Sequence, residues 1–220
     1  MLHFAESLTF SGRKAVAAWA ALPFPALSGS SLPDILSAHQ DVPWKLLSSW
    51  KEQKVSCCFA QSVVLRGICQ EKSASCPGQP RSPLHSCESP EQVLQQFLHT
   101  QFPGAFSMAH VLQQPCATQP PFPQFFSPLL SRRGFLLDKA QGSSSAAVES
   151  VPVLAALQSS PVLHPLLSGL CRELQAPNLR RWSSFCTAGV EQDDFQEALE
   201  ELRTLAECYE TGVGAEGAAD

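Results

Sequence analysis

Isoleucine occurs twice in these 220 residues, asparagine and tyrosine once each, and lysine six times. Residue types with AT-rich codons are scarce, while Leu, Ala, Pro and Ser abound. That bias reads as a GC-rich coding sequence, so enrichment in Pro or Ala carries no functional signal. The small number of β-branched residues lowers the expectation of a sheet-dominated fold. Missing as well are the phosphate-cradling pattern GxxxxGKS/T, and HExxH, CxxC and GxSxG. The chain thus shows no P-loop and no motif for zinc hydrolysis, dithiol exchange or a serine nucleophile elbow. Two SxxK matches, Ser11–Lys14 and Ser48–Lys51, are what 27 serines yield by chance. No enzymatic activity and no cofactor is expected.

No stripe of Arg and Lys interleaves with aromatics, which argues against nucleic acid as a partner. No apolar run reaches the roughly 20 residues that cross a bilayer. Residues 15–27 are too short, and the uncharged stretch 150–171 is diluted by Pro152, Gln158, Pro161, His164 and Pro165. No membrane span is expected.

What is present suffices for a core: 44% of residues are hydrophobic and only 16% charged. Yet Ser, Pro, Gly and Gln make up 75 of the 220 residues, so ordered and low-complexity stretches should alternate. The nine cysteines are an odd number without regular spacing, which reads as reduced thiols in the cytoplasm or nucleus. The alternative is a secreted or organelle-targeted small protein. Arg13 and Lys14 do precede the apolar stretch 15–27, but Glu6 lies upstream and Pro23 and Pro25 interrupt it. A second alternative is a zinc-binding regulatory protein. Cys69, Cys76, His85 and Cys87 place four soft ligands within nineteen residues, but lack the closely spaced pairs from which a tetrahedral cage is usually built.

Local patterns predict a mainly α fold of short helices, with Pro/Ser/Gln-rich disordered linkers and a compact C-terminal helical module. Residues 11–22 read as a helix capped by Ser11 and ended by Pro23, and 23–33 as a connector. Asp41 opens a helix carrying Trp44, Leu47 and Trp50 on one face. Residues 55–69 are strand or helix by pattern, with helix preferred because no strand partner with a turn signal stands nearby. The divisions are a loosely packed helical region 1–70, a disordered linker 71–90, a short helix and Pro/Gln/Phe-rich segment 91–147, the helical module 148–212 and a tail 213–220. Ser89-Pro90 with Gln92 starts the 91–147 helix, whose apolar face is Val93, Leu94, Phe97 and Leu98, and Pro103-Gly104 stops it. Ser82, Ser89, Ser127 and Ser160 each precede proline, the pattern of proline-directed phosphorylation.

The module 148–212 reads as two helices over 148–175, split by Ser159-Ser160-Pro161, then a short helix 179–188 and a last helix from Asp193 to Tyr209. On that last helix Phe195, Leu199, Leu202, Ala206 and Tyr209 step by four and three residues, forming one apolar seam. Residues 191–220 hold ten acids and one base, so the seam is flanked by carboxylates. Such a helix gains from basic groups, and the functional expectation is a non-enzymatic adaptor or subunit. It would dock a protein partner with a basic or apolar groove through Phe195, Leu199, Leu202, Ala206 and Tyr209.

Overall fold

The computed structural model describes residues 4, 6, 8, 11–38, 58–68, 82–119, 126–139, 147–175, 189 and 191–210. In chain order its strands are β1 (Ala17–Ala21), β2 (Ala60–Arg66), β3 (Phe106–Leu112), β4 (Cys116–Ala117), β5 (Ser150–Val151) and β6 (Val153–Ser159). Its helices are α1 (Leu32–Ala38), α2 (Pro90–Gln101), α3 (Leu163–Gln175) and α4 (Gln192–Glu207). Four strands form one mixed sheet in the order β1-β6-β2-β3, and β4 pairs with β5 in a separate ladder. β6 runs antiparallel to both β1 and β2, whereas β2 and β3 are parallel.

The mainly α expectation is therefore corrected to a mixed α/β fold. Three stretches read as helix, within 11–22, 55–69 and 148–159, are strands. AAWAA and VLAALQS contain good helix formers, but helix propensities differ by only about 0.7 kcal/mol per ordinary residue. Pairing in the sheet outweighs that preference; β2 and β6 are buried on both faces, whereas β1 is exposed at Ala18 and Ala20. A short apolar run buried on both faces looks the same in sequence as a buried helix. The argument that β2 lacked a nearby partner fails because its partners are remote. Gln61 lies 46 positions from Ser107 and 97 from Gln158, the residues that flank it in the sheet. β3 falls in a stretch where no element was anticipated. The sheet takes strands from each of the segments 1–70, 91–147 and 148–212.

Parity along the strands sets the two faces. Trp19, Ala156, Val63 and Ala109 form one rung, since each is directly opposite the next. Together with Ala21, Leu154, Leu65 and Val111 they face α1 and α2, whose Leu32, Ile35, Leu36, Val93, Leu94, Phe97 and Leu98 complete the main core. The opposite face carries Ala60, Met108 and Leu157, covered by Phe4 and Leu8. A third cluster of Leu130, Val148, Val151 and Val153 closes the end bearing β4 and β5.

α2 forms where the capping pattern puts it. Ser89 Oγ accepts from the Gln92 amide at 3.2 Å, Pro90 opens the helix, and the Gln92 side chain accepts from the Glu88 amide at 3.0 Å. The four apolar residues of its expected face are buried. α1 begins at the end of the presumed connector and runs through residues given no element from sequence; its start is Ser31, which accepts from the Asp34 amide. α3 realises the second half of the expected 148–175 pair and follows the Ser159-Ser160-Pro161 break. α4 is the expected last helix, but it starts at Gln192 with Glu191 in the cap position and no side-chain cap bond. Gly67 closes β2 at a φ of +85°, and a Cβ there would meet Pro115 Cα at 2.8 Å, so both backbone and space require glycine. Among the described residues no helix is long and apolar enough to cross a membrane. The Trp44–Trp50 face, the greater part of the 71–90 linker, the 179–188 helix and the tail lie outside the described residues.

Candidate functional site

The seam proposed for partner docking faces inward at its C-terminal end. Leu199, Ala206 and Tyr209 are buried, Tyr209 completely, while Phe195 and Leu202 are half-buried. α4 packs on α3, and His164 Nδ1 of α3 lies 3.0 Å from the carbonyl of Ala206. Beyond the helix end, the Tyr209 hydroxyl donates to the Ala15 carbonyl at 2.6 Å and lies 3.1 Å from Ser159 Oγ. Arg13 Nε donates to the Cys208 carbonyl at 2.8 Å, and its guanidinium stacks over the Phe59 ring at 3.7 Å. Phe59 in turn meets Tyr209 edge-on, with centroids 6.1 Å apart. Burial pushes the Tyr209 phenol above its usual 10.0, against the opposing hydrogen bonds to Ser159 and Ala15 and the nearby Arg13 charge. Arg13 was read from sequence only as a base ahead of an apolar stretch. Its partners are 46 to 195 positions distant, a separation that leaves no local pattern.

A second polar assembly crosses the sheet. Gln158, Gln61 and Ser107 occupy one rung of β6, β2 and β3. Trp19 Nε1 donates to Gln158 Oε1 at 2.7 Å, Gln158 Nε2 to Gln61 Oε1 at 2.8 Å, and Gln61 Nε2 to Ser107 Oγ at 2.9 Å. Gln95 of α2 finishes the row by donating to the Ser107 carbonyl at 2.8 Å. Both rung glutamines are fully buried, so each unmade bond there would carry a desolvation cost. Chemically this row is a register device: shifting one strand by one residue would turn its amide to the opposite face.

Two groups have the residue types of reactive sites. Ser31 Oγ donates to Asp34 Oδ2 at 2.5 Å, and Asp34 Oδ1 lies 2.8 Å from His85 Nε2. His85 Nδ1 faces the Ser82 carbonyl at 3.2 Å, so a neutral ring can donate to only one of its two acceptors. The Ser31 hydroxyl, with help from His85, holds the Asp34 carboxyl below its usual 3.8 despite some burial. The serine bonds the carboxylate and not the imidazole, so this is not the geometry of an activated nucleophile. The other group is an open cleft of about 680 Å³ between Gly12, Lys14 and α4, lined by Glu197, Glu200, Glu201, Thr204 and Cys208 among others. It brings three carboxylates, one ammonium and one thiol together, with no imidazole. Of the candidate zinc ligands, His85 and Cys87 are described and Cys69 and Cys76 are not. His85 is engaged with Asp34 and Ser82, and among the described residues no three ligands converge.

No family model matches the chain. Curated proteins do. The chain is 47% identical over 216 residues to cattle misato homolog 1, covering 96% of this chain and 37% of that protein. It is 48% identical to the mouse protein of the same name and 46% to the human one. Misato of Drosophila melanogaster is 29% identical over 215 residues. These findings overturn the expectation of a non-enzymatic adaptor or subunit that docks a partner through its last helix. The stretch matches part of a much longer protein, and the buried half of the proposed docking seam is occupied by α3, Ala15 and Ser159. Over almost all of its length this chain is similar to misato proteins, and it spans 37–38% of the length of the cattle and mouse relatives.

Proposed function

We propose that this chain is a structural, non-catalytic unit of a misato-type protein, and that chemistry performed by the longer relatives is carried by sequence outside the matched stretch. The observation that carries the reading is the 216-residue match to mammalian relatives that are filled only to 37–38%. The geometry supports it. Of the most buried polar groups, Gln61, Gln158, Ser159 and Tyr209 bond one another or the backbone across the sheet, while the Ser160 hydroxyl has no partner among the described residues. Ser31, Asp34 and His85 satisfy each other at the surface.

The test is to exchange the matching stretch of the human relative for this chain in cells lacking the relative. The expected result is a stable full-length chimaera that restores the missing phenotype, with His85→Ala and Cys208→Ser variants restoring it equally. A folded chimaera that does not restore it, or loss of restoration in either variant without loss of the protein, would overturn the reading.

A further inference from the structure

We infer that α3 and α4 form a hinged arm, held against the end of the sheet by the contacts of Tyr209 and Arg13, that swings away as a unit and widens the cleft beside Gly12 and Lys14. This goes beyond the structural role proposed above and stands independently of it.

Four observations point the same way. First, α4 packs along α3, and among the described elements neither helix lies along a strand. The His164 ring reaching the Ala206 carbonyl ties the two helices together. Second, burial on α4 is confined to its far half. Every residue from Gln192 to Ala198 is exposed except half-buried Phe195, while Leu199 and Ala206 are buried. A helix anchored at one end opens at a lower free energy than the core does.

Third, among the described residues the anchor comprises the fully buried Tyr209 ring edge-on to Phe59, its hydroxyl on Ala15 and Ser159, and the Arg13 guanidinium on the Cys208 carbonyl and over the Phe59 ring. Fourth, the space beneath α4 is already open. The cleft separates residues 12–14 from the helix, and its wall carries Glu197, Glu200 and Glu201 against the single Lys14. Glu197 and Glu201 repel each other along the helix, and among the described residues nothing else lining the cleft is basic.

Amide hydrogen exchange of the full chain tests the arm. Tyr209→Phe keeps the ring against Phe59 and removes the hydroxyl. Amides of α3, α4 and residues 11–16 should then exchange about five- to tenfold faster, the effect of one lost hydrogen bond on a local opening, while β2 and β6 stay at wild-type protection. A second variant closes the arm. A Cβ at Gly12 lies 3.2 Å from Cys208 Sγ, so Gly12→Cys is within disulfide reach of Cys208, at the cost of backbone strain at a φ of +71°. Oxidised Gly12→Cys/Tyr209→Phe, with the cross-link confirmed by mass, should regain slow exchange in α4, and its reduced form should not. The inference is overturned by unchanged exchange in Tyr209→Phe, by equal acceleration in α4 and β2, or by a cross-linked double variant whose α4 exchanges as fast as in the reduced form.

Discussion

Tyr209 is the single tyrosine of the chain, so phenolate absorbance reports on it alone. Burial raises its folded pKa above the unfolded value of 10.0. A raised acid is stabilising while neutral: the contribution is complete below pH 10.0 and disappears as pH climbs through the higher folded value. The folded chain should therefore titrate above, and the urea-unfolded chain at, the ordinary tyrosine position; coincident curves would mean the hydroxyl is solvated. Asp34 has the opposite sign. Its folded value is depressed below 3.8 by Ser31 and His85, so its contribution is present above pH 3.8 and lost as pH falls through the depressed value. The gap in urea midpoint between wild type and Asp34→Asn should narrow below that pH, and a gap independent of pH would contradict the assignment. The glutamine row makes a third prediction. Gln61→Leu strands Gln158 Nε2 and should cost about 1–3 kcal/mol. Adding Gln158→Leu should cost less than the sum of the single changes, since each removes the other's unmet partner. Strict additivity in chemical denaturation would show the two amides to be independent. Tyr209 was legible as a seam residue, but the glutamine row was not, because Trp19, Gln61, Ser107 and Gln158 meet only after four remote segments align.

Among the elements, legibility followed the range of the forces that build them. α2 was visible because its determinants are local: Ser89 accepts from Gln92, Pro90 starts the helix, and Val93, Leu94, Phe97 and Leu98 repeat at helical spacing. α4 was visible for the same reason, and its seam residues do point inward at the far end. β1, β2 and β6 were misread because a strand's register is set by partners, and here the partners are distant. Even the break at Ser159-Ser160-Pro161 was placed correctly while the element before it was assigned the wrong period. Two substitutions contrast these cases in thermal or urea unfolding. Ser89→Ala removes only a cap and should cost about 1 kcal/mol. Leu65→Ala, fully buried in a strand flanked by β6 and β3, should cost about 2–5 kcal/mol. A reversed order would place the stabilising weight of the fold on its helices.

At the scale of the whole molecule, β6 is the strand that unites the sheet, since it lies between β1 and β2 and pairs with both. A chain cut after Pro152 keeps every residue of β1, β2 and β3 yet should lose cooperative unfolding, because β1 then has no neighbour. Retention of a sharp transition would mean that β2, α2 and β3 stand alone. The same placement governs biosynthesis. A ribosome delivers β1 and β2 early and the strand that must slide between them on the order of ten seconds later. During that interval the nascent polypeptide can assemble the β2-α2-β3 crossover, but β2 keeps an edge of unpaired backbone N–H and C=O groups on the side reserved for β6. Production of this protein should thus be sensitive to elongation rate and to holdase chaperones that shield such an edge until residue 159 has emerged.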